Sequence, residues 1–400
     1  MRGAIIAGVV LLAVAGTAGG QEPVTRAAAM AAAESHGSRI ALARADTSAS
    51  AAALATARML ENPVAVTSYT KSTPQYHAEV ALPLDFLWLR GPRVRAAGYS
   101  LGAARLRFQL ERASAAFDAD TAYTAAQAAA AHSRLSARNA QDADSLLHMA
   151  TVRRDAGDAS DLDVQLAAVS AGQAHNTATG DSLAAIAAVL DLQAIMGLAA
   201  DRVSVQPADS LTLPALDSLP AQGIRLLPVA AAEAALAAEE QSIVFARRGV
   251  LAAPSLSVGF ETGDPSGGET GVLPLVGVTL PLPIFNRNGG PIAAATATRD
   301  RARAELDLAK RASAAARARA LRNRESAFAR AERDRALVTT AERVAVLSLR
   351  AYAEGAFALP SVLEARRAAR ETLSQYIDDL AAANDAAAAL RLLTLVVPAP

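Results

Sequence analysis

Two stretches of the chain have apolar residues at every second position, and in the first of them the alternation is strict. In the first, the positions on one face are Tyr76, Ala78, Val80, Leu82, Leu84, Phe86 and Trp88. In the second, the corresponding face carries Val272, Pro274, Val276, Val278, Leu280, Leu282 and Ile284. A period of two places successive side chains on opposite faces of a strand, so both stretches predict β-strands with one apolar and one polar face.

The two stretches are copies of one design, 198 positions apart. Residues 80–97 read VALPLDFLWLRGPRVRAA, and residues 277–295 read GVTLPLPIFNRNGGPIAAA. Val80 corresponds to Val278, and Gly91 corresponds to Gly289. The repeated unit is too long for a solenoid repeat, so the pattern indicates a duplicated half of a protein.

Each copy leads into a long segment without proline after its first position, which predicts helices over 94–155 and 291–353. About 60 helical residues would span roughly 90 Å, several times the diameter of a domain, so these helices must pack in a coil or bundle. Gly157 and Gly355 interrupt the helices at the same spacing, 63 residues after Val94 and Ile292. The equal spacing predicts that the two turns lie at equivalent places.

A returning helix is predicted after each glycine, over 160–199 and 359–396. Ser160 and Asp163 have the spacing of a helix cap with an acidic partner, and Pro360 stands where the first turn of the second helix begins. The first repeat covers 21–205, with an opening helix and a β-hairpin at 62–90. A proline-rich linker covers 206–228, and the second repeat covers 229–400, with its hairpin at 253–286.

The first 20 residues have the layout of a secretory signal peptide. Arg2 is followed by an apolar run over 4–14 and by small residues over 15–20. A membrane anchor is the alternative, but the run is shorter than the ~20 apolar residues that a spanning helix needs. The pattern therefore predicts export across one membrane.

Composition narrows the classes of function. Hydrophobic residues make up 52% of the chain and aromatic residues only 4%, because alanine supplies most of the apolar content. The absence of cysteine excludes disulfides and thiolate chemistry, and the five histidines have no ligand spacing. No nucleophile, metal motif or phosphate loop stands out, so the sequence predicts no enzyme, no metal site and no cofactor.

The net charge of zero also argues against a nucleic-acid partner. Residues 299–335 hold 12 Lys/Arg against 6 Asp/Glu, but the interleaved acids favour a solvated helix face over a nucleic-acid surface.

Four amphipathic strands cannot close a transmembrane barrel, which needs about eight. Because open sheet edges do not occur in lipid, the strands must be combined from several chains, and three chains would supply twelve. The core of a soluble sandwich is the alternative for the apolar face. The signal peptide and the strict alternation favour lipid contact by the residues Val80, Leu82, Leu84, Phe86, Trp88, Val278, Leu280, Leu282 and Ile284. On the opposite face, His77, Glu79 and Asp85 are then predicted to line a wet lumen.

This combination of junctions and glycine turns resembles the TolC-like outer-membrane efflux protein family. Residues 280–292, LPLPIFNRNGGPI, are most similar to its CzcC-like metal-efflux branch. The resemblance implies a mainly α fold with a small β part, in which long helical hairpins form a periplasmic tunnel. Four strands per chain contribute to a trimeric 12-stranded β-barrel in the outer membrane.

The resemblance further implies a passive exit duct for substrates, with heavy-metal cations as one class of cargo. The implied partners are a periplasmic adaptor (membrane fusion protein), an inner-membrane pump of the RND type and outer-membrane lipid.

By the same resemblance, the two helix turns form the periplasmic tip, which contacts the adaptor and closes the tunnel. The corresponding residues are Gly157, Ser160, Asp163, Val164, Tyr352, Gly355, Ser361 and Val362. Ser361 stands where the pattern often has an acid, and Phe357 stands where relatives can place an arginine. Our hypothesis from the sequence is therefore a hydrogen-bonded latch between Asp163 and Tyr352, so that Asp163→Ala raises conductance.

Two other classes of protein share some of these features. A periplasmic adaptor also has long helical hairpins, but it carries one hairpin, whereas two hairpin-and-strand units follow each other here. An exported coiled-coil structural protein without a pore would not need two strand pairs with lipid-type faces.

Overall fold

The computed structural model describes residues 21–215, 226–268 and 271–395. The predicted signal peptide, part of the predicted linker and the last residues of the second repeat lie outside these ranges. The helices are α1 (Arg26–His36), α2 (Ser38–Arg58), α3 (Arg90–Asp155), α4 (Asp161–Ile195), α5 (Leu227–Arg248), α6 (Gly289–Ala353) and α7 (Leu359–Leu393). The strands are β1 (Glu22–Val24), β2 (Val64–Tyr69), β3 (Tyr76–Pro83), β4 (Val205–Pro207), β5 (Ser255–Thr262) and β6 (Leu273–Thr279).

The long helices dominate the architecture, and the predicted mainly α fold class is confirmed. Helix α3 has 66 residues and α6 has 65, which corresponds to about 100 Å each. Helices α4 and α7 both have 35 residues, and their first and last positions are each 198 apart. The spacing found in the sequence is therefore also the spacing of the helices.

The helices pair along their lengths around α3 and α6. Helix α3 packs against α2, α4, α5 and α7, whereas α6 packs against α5 and α7. The buried positions of α6 recur about every seven residues and are mostly small; they include Leu306, Ser313, Ala320, Ala327, Ala341 and Ser348. A seven-residue repeat keeps one seam facing the partner helix, and small side chains let the two backbones approach closely.

One four-stranded antiparallel sheet lies at the end of the bundle opposite the two glycine turns. Its order is β2-β3-β5-β6, so β2 and β6 are its edges. Val80 pairs with Ala65 on one side and with Val258 on the other, and Val258 pairs with Val276. The hairpin of the first repeat therefore joins that of the second through the β3–β5 ladder.

The N-terminal part differs from the prediction of one helix. Gly37 separates α1 from α2, and a Cβ atom there would lie 2.7 Å from the carbonyl oxygen of Ala33. A short parallel pair of β1 with β4 ties the start of the described chain to the segment after α4. Strands of three residues carry no periodicity, so this pair was not predicted.

The strands end earlier than the alternation predicted, so six residues predicted to lie in strands lie outside them, while their predicted contact with lipid stays a prediction. β3 stops at Pro83, so Leu84, Phe86 and Trp88 lie on the turn of 3-10 helix that leads into α3. Likewise β6 stops at Thr279, so Leu280, Leu282 and Ile284 follow the strand instead of belonging to it. Prolines at positions 83, 254, 281 and 283 have no N–H group to donate, which limits the ladder at this end of the sheet.

Asp85 was predicted to line a wet lumen, and the structure corrects that prediction. Its side chain is fully buried and forms an ion pair with Arg93, with 2.7 Å between Nη2 and Oδ2. Trp88 is also held by the fold, since its indole Nε1–H donates to the carbonyl oxygen of Leu251 at 2.9 Å. The segment between β3 and α3 is thus a structured junction.

Candidate functional site

Both long helices end in the same glycine-dependent turn. Gly157 has a φ of +83° and Gly355 a φ of +76°, a region that side chains with a Cβ atom rarely adopt. The N–H of Gly157 donates to Arg154, and the N–H of Asp158 donates to Arg153, at 2.9 and 2.7 Å. The second turn repeats this pattern, which satisfies carbonyls left free at a helix C-terminus.

The first turn continues into α4 through the predicted cap. The Oγ atom of Ser160 accepts from the backbone N–H of Asp163 at 3.2 Å, and the Asp163 carboxylate accepts from the N–H of Ser160 at 3.1 Å. This reciprocal capping box satisfies two donors at the start of α4. The predicted cap with an acidic partner is confirmed.

The second turn continues into α7 without a side-chain cap. Ala358 occupies the cap position, and Pro360 lies in the first turn of α7. Ser361 is exposed, whereas Val362 is fully buried. Position 361 therefore does not take over the capping role that Asp163 has in the first turn.

Beside the turns, residues from all four long helices share one core, which we call the tip cluster. Its buried members are Leu146, Ala150, Ala167, Tyr352, Leu359 and Val362, and Val164 is among the half-buried residues packed against it. Because α3 and α4 contribute from one hairpin and α6 and α7 from the other, the tip cluster holds the two hairpins together.

Arg153 joins the two turns and was not identified from the sequence. Its Nη1 atom donates to the carbonyl oxygen of Tyr352 at 2.7 Å, and its guanidinium carbon lies 4.8 Å from the centre of the Tyr352 ring. Its Nη2 atom reaches the carbonyl oxygen of Asp158 at 3.4 Å. A cation at the C-terminal ends of α3 and α6 is favourable because both helix dipoles place partial negative charge there.

The signal for Arg153 in the sequence was weak. Basic residues are common in the last turn of a helix, and the equivalent position in the second repeat, Ala351, has no charge. Phe357 occupies the position where relatives can carry an arginine, and Arg153 supplies a guanidinium from the opposite turn.

The predicted bond between Asp163 and Tyr352 is not formed. The Tyr352 hydroxyl is buried and has no hydrogen-bond partner among the described residues. The Asp163 carboxylate instead accepts from the backbone N–H and the hydroxyl of Ser160 through Oδ2. Burial raises the pKa of Tyr352, while Arg153 lowers it and the charge of Asp163 raises it. Asp163 is thus close enough to act through its charge, but the hydrogen-bonded latch is wrong for this structure.

A second ion pair and a groove lie further along the hairpins from the turns. Arg366 on α7 pairs with Asp142 on α3, with 2.5 Å between Nη2 and Oδ2, and burial lowers the pKa of Arg366. The groove has a volume of about 410 Å³ and lies between α4 and α7. Its walls include Leu166, Val169 and Leu363.

The sheet presents an apolar face that nothing in the described chain covers. Val80, Val258 and Val276 lie side by side on it and are 48%, 54% and 71% exposed. Leu82 and Val278 lie on the same face and are also exposed. An apolar surface of this extent on a folded protein marks a contact with lipid or another protein.

The other face of the sheet carries the polar side chains. His77 lies opposite Glu261 on the neighbouring strand, with 3.0 Å between Nδ1 and Oε1, and Thr70 contacts its other ring nitrogen at 3.3 Å. Glu79 is on this face as well. The described residues contain no group of three or more His, Cys, Asp or Glu side chains that could hold a metal ion.

One described helix, α4, is long and apolar enough to cross a membrane by length and composition alone. Its most apolar window is largely unburied, and its partner along its length is α3. Its place in a hairpin with α3 makes an exposed packing face the better interpretation.

Comparison with known proteins gives two findings and one negative result. Residues 226–394 match the family model "Outer membrane efflux protein". No curated protein matches the sequence. The whole fold is shared with solved outer-membrane proteins, each at low sequence identity.

The CmeC outer membrane channel of Campylobacter jejuni has a TM-score of 0.77 at 14% identity, covering 92% of this chain and 85% of CmeC. VceC of Vibrio cholerae has a TM-score of 0.75 at 18% identity, covering 92% of this chain and 96% of VceC. The MtrE outer membrane channel of Neisseria gonorrhoeae has a TM-score of 0.72 at 15% identity, covering 92% and 88%.

The fold, with its long helical hairpins and an exposed apolar sheet at one end, is that of solved outer-membrane channels. The second half of the chain matches the outer membrane efflux protein model, and 92% of the chain shares the fold of solved outer-membrane channels. The prediction that the chain is not an enzyme stays a prediction. The narrower similarity to the CzcC-like branch stays a prediction.

Proposed function

We propose that three copies of the chain form one exit duct, which passively conducts substrates expelled by an inner-membrane pump. The single observation that carries this proposal is the open sheet: four strands with an exposed apolar face and two unpaired edges, β2 and β6. Unpaired backbone groups cannot face hydrocarbon, so the edges need partners from other copies. Three copies give a closed barrel of twelve strands.

The helices support the same assembly. Leu162, Val169 and Leu183 are exposed on α4, whose contacts with elements other than α3 are few. Helix α4 carries acidic side chains and no lysine or arginine, whereas α6 is rich in arginine. In a ring of copies, α4 of one copy would pack beside α6 of the next, with its apolar positions covered and opposite charges close together.

In this assembly the tip cluster and Arg153 are the closing device of the tunnel. Helix α3 spans about 100 Å, so the tip lies far from the sheet, on the periplasmic side. The proposed contact with a periplasmic adaptor and the proposed gate involve Gly157, Ser160 and Gly355 at the exposed turns. The groove between α4 and α7 offers an adjoining surface to a helical hairpin of such an adaptor.

The proposed cargo class is heavy-metal cations, and the proposed pump is of the RND type. Both proposals rest on the similarity of residues 280–292 to metal-efflux channels. Near the turns, Asp155 and Asp161 pair with Arg154, whereas the exposed Asp158 has no ion pair within the described ranges. Three copies of Asp158 around the entrance would favour cations over anions. Transport of cations across vesicles that contain the protein, compared with transport of neutral solutes of similar size, tests the cargo.

The assembly is tested by purifying the chain in detergent, determining its mass by light scattering and inserting it into planar lipid bilayers. We expect the mass of a trimer and discrete conductance steps. A monomer that never produces steps would contradict the proposed duct.

A further inference from the structure

At one end of the sheet the chain passes four times between a helix and a strand: from α2 to β2, from β3 to α3, from α5 to β5 and from β6 to α6. Each of these connections carries exposed apolar side chains and at least one arginine nearby. We call the surface formed by the four connections the junction belt. Its exposed apolar residues include Met59, Leu60, Leu87, Leu251, Ile284 and Phe285, and Phe285 is 99% exposed. Its exposed arginines are Arg58, Arg247, Arg248 and Arg287. The four connections lie level with each other because Pro83 pairs with Ser255, and Ser255 pairs with Thr279.

The arginines of the junction belt are free, in contrast to two others at the same level. Arg90 donates to the carbonyl oxygen of Arg58, and Arg93 donates to those of Ala57 and Met59 and pairs with Asp85. These two therefore hold the end of α2 against the start of α3. Within the described part of the chain, the four guanidinium groups of the junction belt have neither ion pairs nor hydrogen bonds. They are available to an anionic partner.

The length of the strands indicates that the junction belt lies at the membrane surface, where lipid headgroups are the anionic partner. The ladder has strands of six to eight residues, whereas a transmembrane strand tilted by ~45° has about 9–11. Eight residues span about 26 Å along the strand and roughly 19 Å along the membrane normal at this tilt. The apolar band of a barrel is ~25 Å tall, so the ladder is several ångströms short. The exposed apolar residues of the junction belt directly follow the strands and extend the apolar band beyond the ladder.

We propose that the junction belt binds the anionic glycerophospholipids of the leaflet at the periplasmic end of the barrel. The apolar side chains enter the acyl region, and the four arginines bind lipid phosphates through their planar, forked donors. This inference rests on the proposed function, because it requires the sheet to be part of a membrane barrel. It adds a headgroup-selective surface outside the strands.

The single tryptophan of the chain is a built-in probe of this surface. Trp88 lies in the junction belt and contacts Leu251 through its indole N–H. We would reconstitute the full-length protein in zwitterionic vesicles that contain a small, equal fraction of either brominated anionic or brominated zwitterionic phospholipid. Bromine quenches tryptophan fluorescence on contact, so quenching reports which lipid occupies the belt.

We expect the anionic lipid to be enriched about fivefold next to Trp88, which corresponds to ~1 kcal/mol for one arginine at a membrane surface. Replacing Arg58, Arg247, Arg248 and Arg287 together by Gln should abolish the preference. The matched control replaces four exposed arginines of α6, Arg303, Arg319, Arg322 and Arg335, by Gln and should keep it. Replacing the four belt arginines by Lys should keep part of the preference for the anionic lipid, because the positive charge remains.

Two results would overturn the inference. Equal quenching by both lipids means that the belt touches acyl chains without selecting headgroups. No quenching by either lipid means that the belt is covered by another copy or by a periplasmic protein. Conductance of the same preparation in planar bilayers separates these failures from a failure of the proposed function, since a conducting channel without lipid preference leaves the duct intact.

Discussion

Replacing Arg153 by Ala should open the tip, because this side chain bonds across the two turns. The variant loses the hydrogen bond to the carbonyl oxygen of Tyr352 at 2.7 Å and the contact with its ring at 4.8 Å. A hydrogen bond that involves a charged group contributes about 1.5–3 kcal/mol, and a partly exposed cation–π contact about 0.5–1 kcal/mol.

Arg153 is half-buried, so solvent screening reduces the sum to roughly 2 kcal/mol per chain. Since 1.4 kcal/mol is a factor of ten, the equilibrium between closed and open tips should shift by about 30-fold per chain. The tip cluster remains in place, so the protein should still fold and assemble.

The assay is single-channel recording in planar bilayers, with conductance and open probability compared between variants. Arg154→Ala is the matched control, because Arg154 pairs with its neighbour Asp155 and has no bond to the second hairpin. Arg153→Lys should give an intermediate open probability, since lysine keeps the positive charge but lacks the planar, forked donors of the guanidinium group. If Arg153→Ala conducts like the unchanged protein while the trimer is intact, the assignment of Arg153 to the gate is wrong.

Three further predictions follow from the tip and from the contact between α6 and α7. Tyr352→Phe should leave conductance unchanged, because no described residue bonds to the hydroxyl; a rise in conductance would instead support the latch that the sequence suggested. Asp163→Ala should lower the free energy of unfolding by ~1 kcal/mol, measured by thermal unfolding, because the capping box with Ser160 is lost. If the double variant with Ser160→Ala is no less stable than Asp163→Ala alone, the two residues act as one cap. Asp334→Asn should flatten the dependence of the melting temperature on pH, because a hydrogen bond to Asp379, burial and the charge of Asp379 raise the pKa of Asp334.

The sign of the pH effect follows from the direction of that shift. A carboxyl whose pKa is raised in the folded state contributes stability that is complete below its ordinary value, near 4, and is lost as the pH rises through the raised value. Asn keeps a donor toward Asp379 at every pH, whereas Asp307→Asn, at an exposed position of α6, should leave the slope unchanged. An unaltered slope in Asp334→Asn would show that the two carboxyls do not share a proton.

Much of the helical part could be predicted from the sequence, because the residues that mark each helix end lie close together in the chain and the glycine turns recur in both repeats. The 198-residue spacing located both glycine turns, and the cap of Ser160 with Asp163 needs only four consecutive positions. The strands were predicted too long, because alternation continues past Pro83 although the ladder does not. Periodicity reports which face a side chain would take, but not whether a neighbouring strand is there to pair with.

The contact between Arg153 and Tyr352 could not be predicted because it depends on the packing of two hairpins. Arg153 and Tyr352 are 199 positions apart, and only the tip cluster brings them into contact. The same holds for the buried ion pair between Asp85 and Arg93, since alternation alone placed Asp85 on the polar face. In both cases a charged side chain binds a partner that the alternation and spacing of nearby residues do not indicate.

The most direct test of the central claim uses the absence of cysteine from the chain. Single cysteines at Val80, Val278, Glu79 and Thr279 place two probes on the apolar face and two on the polar face of the sheet. Intact cells and isolated outer membranes are then labelled with a water-soluble and with a lipid-partitioning thiol reagent. A lipid-embedded, water-filled barrel predicts that positions 80 and 278 react only with the lipid-partitioning reagent, and positions 79 and 279 only with the water-soluble one. Labelling of all four positions by the water-soluble reagent, or of none by either, would contradict the channel.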